Sequence, residues 1–289
     1  MDSQYFKHVY DSIEQGLNVI LESEQYRSYL KIMARFHSYS LNNIILIYQQ
    51  CPQATYVAGY SAWITKFSRH VRKGEKGIRI LAPYKGSTMD PKTGKEKEEI
   101  RFRIVTVFDI SQTEGDPLPD FPVPKLSGNV DNYEKVMKIL RLVSPVPVEM
   151  RPLRESVHGY YAPLKNRIVI NEAMNEAQTV KTLIHEIAHA MLHHSRSSRA
   201  AVSSQQKEVE AESVAYAVCH YFGLDTSDFS FPYLAVYSGR DNTLLKNSME
   251  AIQEASCMMI NRINSLFLED SCRPSFRKRA EEETEKILG

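Results

Sequence analysis

Nothing in this chain calls for an oxidising compartment or a membrane. Its 289 residues include four cysteines, Cys51, Cys219, Cys257 and Cys272, with no CxxC pair and no metal-finger spacing among them. Free thiols are expected, and a disulfide framework is not. No run approaches the roughly 18 apolar residues that a membrane helix needs. The first twenty residues hold no uninterrupted apolar segment, so no secretory signal is expected and a cytoplasmic location is. Net charge is only +1, so the molecule as a whole is neither polyanion nor polycation. There is a single tryptophan, Trp63, and no internal repeat.

What remains is the composition of a globular protein with a substantial core, 43% hydrophobic and 25% charged. The length suits two domains. Charge divides unevenly between them. Residues 1–115 carry 16 Lys and Arg against 12 Asp and Glu, leaving 20 against 23 for the rest. Apolar residues at helical spacing predict helices over 4–21, 24–36 and 40–50, with Ser40 as N-cap of the third and Pro52 ending it. "IRILAP" (78–83) and the β-branched, aromatic "RFRIVTVFDI" (101–110) predict strands. The polar segment between them reads as a hairpin loop. Four prolines within residues 117–124 exclude a helix or a central strand there, so 116–129 reads as an extended linker. Beyond it, helices are expected near 130–143, 204–222 and 241–267, with a strand-turn-strand in "HGYYAPLKNRIVIN" (158–171) and a charged, frayed tail over 271–289.

The most informative stretch is "KTLIHEIAHAMLHH", residues 181–194. His185, Glu186 and His189 spell HExxH. On a helix, positions i and i+4 share a face, so both imidazoles can reach one Zn²⁺ while Glu186, about 100° round, reaches a water on it. Zinc suits this because it brings the pKa of a bound water near 7 and polarises a carbonyl. Glu186 can then carry the proton to a leaving nitrogen. Leu183, Ile184, Ile187, Ala188, Met191 and Leu192 supply the apolar flanks that bury such a helix. A catalytic zinc needs a third protein ligand. Glu208 lies 19 residues after His189 at the start of a predicted helix, with Glu212 one turn along the same face and Glu210 about 200° from Glu208. Glu208 is the favoured ligand, with Glu212 orienting a ligand histidine. Glu212 and Glu210 remain the rival ligands. His193 and His194 read as solvated residues at a helix C-terminus, where positive charge is favourable. Tyr160 and Tyr161 on the hairpin, and Tyr233, are further candidates to touch a substrate.

In the front half, residues 63–79 gather Trp63, Lys66, Arg69, Arg72, Lys73, Lys76 and Arg79 against Glu75 alone, with Phe67, Tyr56 and Tyr60 nearby. Cations that neutralise phosphates, interleaved with rings that stack on unpaired bases, are what single-stranded nucleic-acid binding uses. A solvated basic face around a core tryptophan would look the same. Asn42 and Asn43 are similarly open between a turn cap and a base contact.

The stretch "FHSYSLNNIILIYQQCPQATYVAGYSAW…RHVRKGEKGIRILAPY", followed by "VFDISQTEG", resembles the N-terminal domain of ArdC-type antirestriction proteins. These are carried by conjugative plasmids and transposons, and related domains precede some plasmid primases. "GYYAPLKNRIVI…TLIHEIAHAMLHH…EVEAESVAYAVCHYFGL" is similar to the zincin domain joined to it in that family, and more distantly to ImmA/IrrE metallopeptidases. The likeness runs through residues 25–240. It implies a single-stranded-DNA-binding domain, a metalloprotease-like domain and protection of incoming mobile DNA from restriction. It also implies His185, His189 and Glu208 as metal ligands and Glu186 as catalytic base.

The expected fold class is therefore α+β in two domains. An N-terminal α+β DNA-binding domain (1–115) and the linker precede a mainly helical zincin-like domain with a small edge sheet (130–270). The expected activity is a zinc metallopeptidase that binds single-stranded DNA and acts on a protein substrate, with no membrane partner. A regulatory protease cleaving a repressor, or a DNA-binding module with a structural zinc, are the alternatives.

Overall fold

A computed structural model describes residues 2–20, 23–89, 95–118, 130–229, 231, 234–237 and 242–288. Mixed helices and sheets give the α+β class, and the chain divides into two compact units. One comprises residues 1–121 and 239–246, the other 122–238 and 247–289.

The first unit opens with three helices, α1 (Asp2–Ile20), α2 (Ser23–Arg35) and α3 (Leu41–Gln50). Ser40 caps α3, its side chain accepting from the Asn43 amide at 3.4 Å. Leu17, Ile20, Leu30, Ile44, Ile45 and Ile47 are wholly buried. Next come β1 (Val57–Gly59), α4 (Tyr60–Phe67), β2 (Arg69–Val71), β3 (Ile78–Met89), β4 (Glu96–Asp109) and β5 (Thr113–Gly115). They form an antiparallel sheet of order β1-β4-β3 and a separate β2-β5 pair. Asn43 ties α3 to this sheet. Its buried amide donates to the Leu81 carbonyl and accepts from the Leu81 N–H, both at 2.8 Å, so a side chain completes the ladder where, among the described residues, no further strand pairs. The Asn43 ambiguity is thereby resolved in favour of structure.

The segment between the two predicted strands differs from expectation. The polar segment read as a hairpin loop is mostly strand, paired from Tyr84↔Arg101 to Met89↔Glu96. Both faces of this outer ribbon are largely exposed, so it lacks the apolar alternation by which a half-buried strand is recognised. Cross-strand polar contacts hold it instead, including Arg101 Nη2 to Thr88 Oγ1 at 3.0 Å and a Thr88–Glu99 hydrogen bond.

The second unit contains α5 (Val130–Val143), β6 (Val148–Arg151), β7 (Gly159–Ala162), β8 (Arg167–Asn171), α6 (Glu176–Leu192) and α7 (Ser204–Tyr221). The last helix, α8 (Asn242–Leu288), runs into it from the first unit. The sheet has the order β6-β8-β7, with β6 parallel and β7 antiparallel to β8. Strand β6 was not expected, since three half-buried residues and an exposed Arg151 give it no alternation. Gly159 lets β7 approach α6 closely. A Cβ there would stand 3.0 Å from the Thr182 methyl and 2.9 Å from Ile170 Cδ1. Asn175 caps α6 and Ser203 caps α7, each side chain accepting an amide of the first turn. Leu183, Ile184, Ile187 and Ala188 are fully buried, which fixes the rotation of α6 and hence where its polar residues point.

Candidate metal centre

That rotation brings His185 and His189 together on one edge of α6, their Nε2 atoms 3.0 Å apart. Glu208, in the second turn of α7, completes a triangle. Its Oε2 lies 3.5 Å from His185 Nε2 and its Oε1 3.5 Å from His189 Nε2. Donors 2.0–2.1 Å from a tetrahedral ion stand about 3.3 Å apart from one another. The three donor atoms therefore fit a divalent cation of zinc's size, and all lie within 4.8 Å of one another. Two imidazoles and one carboxylate suit zinc and other first-row divalent metals alike. Half of the Glu208 side chain is exposed, so the triangle faces solvent on that side.

The carboxylates set the electrostatics. Burial alone would lower the His185 pKa, but Glu208 and Glu212, with Glu186 nearby, raise it to about 10. Glu212 Oε2 sits 3.1 Å from His185 Nδ1, the nitrogen turned away from the triangle. Glu208 itself is held well below the usual carboxylate range by the two imidazoles. Burial lowers His189. Glu186 is buried, and burial raises its pKa, partly countered by His185 and by a hydrogen bond from the Tyr161 amide. A carboxyl raised toward neutrality beside a metal triangle has the properties of a proton carrier.

The rival ligands separate cleanly. Glu212 lies behind His185. Glu210 faces away from the triangle and is completely buried. It accepts from Arg199 Nε at 2.8 Å, Ser248 Oγ at 2.7 Å, Gln206 Nε2 at 3.0 Å and His193 Nε2 at 3.0 Å. Burial would raise its pKa, but these donors push it down to about 2. The expectation that His193 is solvated is thus corrected, because the helix ends on His193 and turns it inward onto Glu210. His194 is half-buried. Arg199 and Ser248 went unrecognised because neither belongs to a motif, and each meets Glu210 only in the folded chain.

A cavity of about 320 Å³ reaches His185 and Glu186, lined also by Gln178, Lys181, Thr182 and Phe229. Lys181 in its wall pairs with Asp228 at 2.8 Å. Tyr160 on edge strand β7 is exposed, Tyr161 is half-buried, and Tyr233 lies outside the described residues.

In the first unit, the basic-aromatic window is only partly available to a ligand. Trp63 is wholly buried, its indole N–H donating to the Phe108 carbonyl at 3.0 Å, so it is a core residue and cannot stack on a base. Arg69 spends its guanidinium on Thr113, Gly115 and Asp116. Arg72 pairs with Glu75 at 2.7 Å and donates to the Ser111 carbonyl. Lys66, Lys73, Lys76 and Arg79 are exposed. Exposed rings occur elsewhere, at Tyr60, Tyr84 and Phe102.

Comparison with known proteins agrees with this division. Residues 3–108 match the model of the N-terminal domain of anti-restriction factor ArdC, and residues 146–255 match the IrrE N-terminal-like domain of peptidase family M78. The chain therefore joins a segment that matches the ArdC N-terminal domain to one that matches the IrrE-like domain. An uncharacterised protein of Bacillus anthracis is 29% identical over 280 residues, 80% of this chain and 46% of its own length. The chain thus spans about half of that relative. The metal-free crystal structure of antirestriction ArdC from plasmid R388 matches with a TM-score of 0.55 at 21% identity, over 78% of this chain and 86% of that one. At that identity the likeness is one of fold. The Mn(II)-bound structure of the same protein gives 0.49 at 20% identity, over 79% and 83%. Among the described residues, no helix is long and apolar enough to cross a membrane.

The buried Glu210 network yields a stability prediction. Glu210→Gln removes the partner of a partly buried arginine and should cost about 3–5 kcal/mol at neutral pH, read by urea unfolding. Because the folded pKa is depressed, the carboxylate's contribution is present above about 4.5, the usual glutamate value, and is lost as pH falls toward about 2. The gap between variant and parent should therefore narrow across that interval.

Proposed function

We propose that this protein is an antirestriction-type factor whose first unit binds single-stranded DNA and whose second unit is a metal-dependent peptidase. The observation that carries the second half is the convergence of His185, His189 and Glu208 at the spacing of a single divalent ion, with Glu186 beside them. Among the first-row divalent metals that two imidazoles and a carboxylate can hold, zinc is the one this reading assigns. When bound there, it would polarise a substrate carbonyl and acidify a water.

The protein's own groups account for the rest. Glu212 keeps the proton of His185 on Nδ1, which leaves Nε2 free for the ion. Glu186, raised by burial, takes a proton from the attacking water and returns it to the leaving nitrogen. The Tyr161 amide bonded to Glu186 fixes that carboxyl relative to β7. An extended peptide can pair with the outer edge of β7, since among the described residues only its other edge is used, by β8. The adjoining cavity then receives one side chain. The open face at Glu208 favours turnover over a purely structural ion, because structural zinc sites are closed by four protein ligands.

For the first unit, support comes from the ArdC N-terminal match together with surface chemistry. Lys66, Lys73 and Lys76 supply exposed cations. Tyr84 shares one face of the β3–β4 ribbon with Arg101 and Arg103, which places a ring among cations as base stacking requires.

Anisotropy of a labelled oligonucleotide of about 20 nucleotides, compared single- with double-stranded, tests the DNA half. Tighter binding to the single strand with a log-linear loss in salt is expected, and Lys73→Ala with Lys76→Ala should reduce that slope by about 0.7 per contact. Equal or absent binding refutes this half. Glu186→Gln tests the other half. It should retain metal while losing at least about 10²-fold in peptide hydrolysis. Undiminished hydrolysis would remove Glu186 from the chemistry.

A further inference from the structure

The proposed metal ligands are oriented by two different devices. His185 meets a carboxylate directly, through Glu212 at 3.1 Å. Among the described residues, His189 meets no carboxylate on its outer nitrogen. Its Nδ1 lies 3.0 Å from Nδ1 of His193, and His193 Nε2 lies 3.0 Å from Glu210 Oε2. We infer that Glu210 and His193 form a hydrogen-bonded relay that holds His189 in its Nδ1–H tautomer, so that His193 is a positioning residue of the metal centre. This inference rests on the reading of His185, His189 and Glu208 as a metal site.

The proton positions follow from what each group can do. Glu210 is flanked by the Arg199 guanidinium, which contacts both of its oxygens, so it is ionised and only accepts. The His193 nitrogen facing it must therefore carry hydrogen. The contact between the two Nδ1 atoms needs one proton, supplied from one side only. If His193 supplied it, neutral His189 would carry its own proton on Nε2, the atom that faces His185 Nε2 and Glu208. No lone pair would then point at the ion. If His189 supplies it, Nε2 is free, and His193 is neutral with its Nδ1 as acceptor. Only the second arrangement is compatible with a ligand at His189.

The same contacts settle what the spacing leaves ambiguous. His193 continues the 185/189 stripe by one further turn, which invites reading it as another ligand. Both of its nitrogens are already engaged, one by Glu210 and one by His189. It is also 6% exposed and is the residue on which α6 ends. Gln206, Ser248 and Arg199 hold Glu210 in turn, so the relay is anchored on α7, on the connection before it and on α8. A change at any of them reaches the ion through one imidazole.

The test uses the full chain and Zn(II) alone, titrated in competition with a chromophoric chelator. Partners behind a ligand histidine typically contribute about 10–100-fold to metal affinity. His193→Leu should weaken binding by that factor. His193→Asn, which can place an amide oxygen where Nδ1 stood, should stay within about threefold of the parent. Parent-like affinity in a folded His193→Leu protein would overturn the relay, as would equal weakening by both variants. A direct readout avoids substitution altogether. In the nitrogen-15 spectrum of the zinc-loaded parent at neutral pH, His193 should be a neutral Nε2–H imidazole. A His193 carrying a proton on Nδ1 would refute the relay. Failure of the parent itself to bind zinc would instead strike the metal site.

Discussion

Two imidazoles one helical turn apart cannot hold an ion by themselves, and the second unit is organised around bringing a carboxylate to meet them. That carboxylate comes from α7, so the site exists only while α6 and α7 keep their register. The two helices pack against each other, and Leu183 and Ile187 of α6 and Val214 and Val218 of α7 have no exposed surface. Apolar burial fixes the rotation of α6, and the buried Glu210 fixes that of α7, because its carboxylate must satisfy four donors at once and leaves α7 few alternative orientations. With Glu210 turned inward, Glu208 and Glu212 fall on the side of α7 that faces His185 and His189.

The alternation of the three glutamates therefore has a division of labour behind it. Glu208 is half exposed and faces both histidines, Glu212 lies behind one of them, and Glu210 stands in the core. The cost of burying the Glu210 charge is offset by a guanidinium and by neutral donors, which is why its pKa falls even though burial acts to raise it. Glu186, one residue beyond a proposed ligand, experiences the opposite balance. Burial dominates there, and its carboxyl is shifted toward neutrality.

Much of the site was legible because helical phase is a strict geometric rule. His185, Glu186 and His189 could be put on neighbouring positions of one helix from spacing alone, and the 200° between Glu208 and Glu210 meant that only one could face the two imidazoles. His193 was misplaced for a reason the sequence does not contain. A histidine at a helix end is normally solvated, and its burial here depends on Arg199 and Ser248, distant in sequence from Glu210. The same gap explains Trp63. Its basic neighbours suggested a stacking platform, yet Tyr56 and Phe67 pack against it and Phe108 takes its N–H. The outer part of the β3–β4 ribbon, from Tyr84↔Arg101 to Met89↔Glu96, escaped detection because neither of its faces is buried. Composition and periodicity report burial, and they fall silent where structure is held by polar contacts.

The central claim is that His185, His189 and Glu208 hold one divalent ion in an open site. X-ray absorption at the zinc edge of the stoichiometrically loaded full-length protein tests it most directly. The account predicts one ion per chain with two imidazole nitrogens and carboxylate oxygen in its first shell, completed by solvent oxygen. Three imidazoles, a sulfur neighbour, or no stoichiometric binding would contradict it.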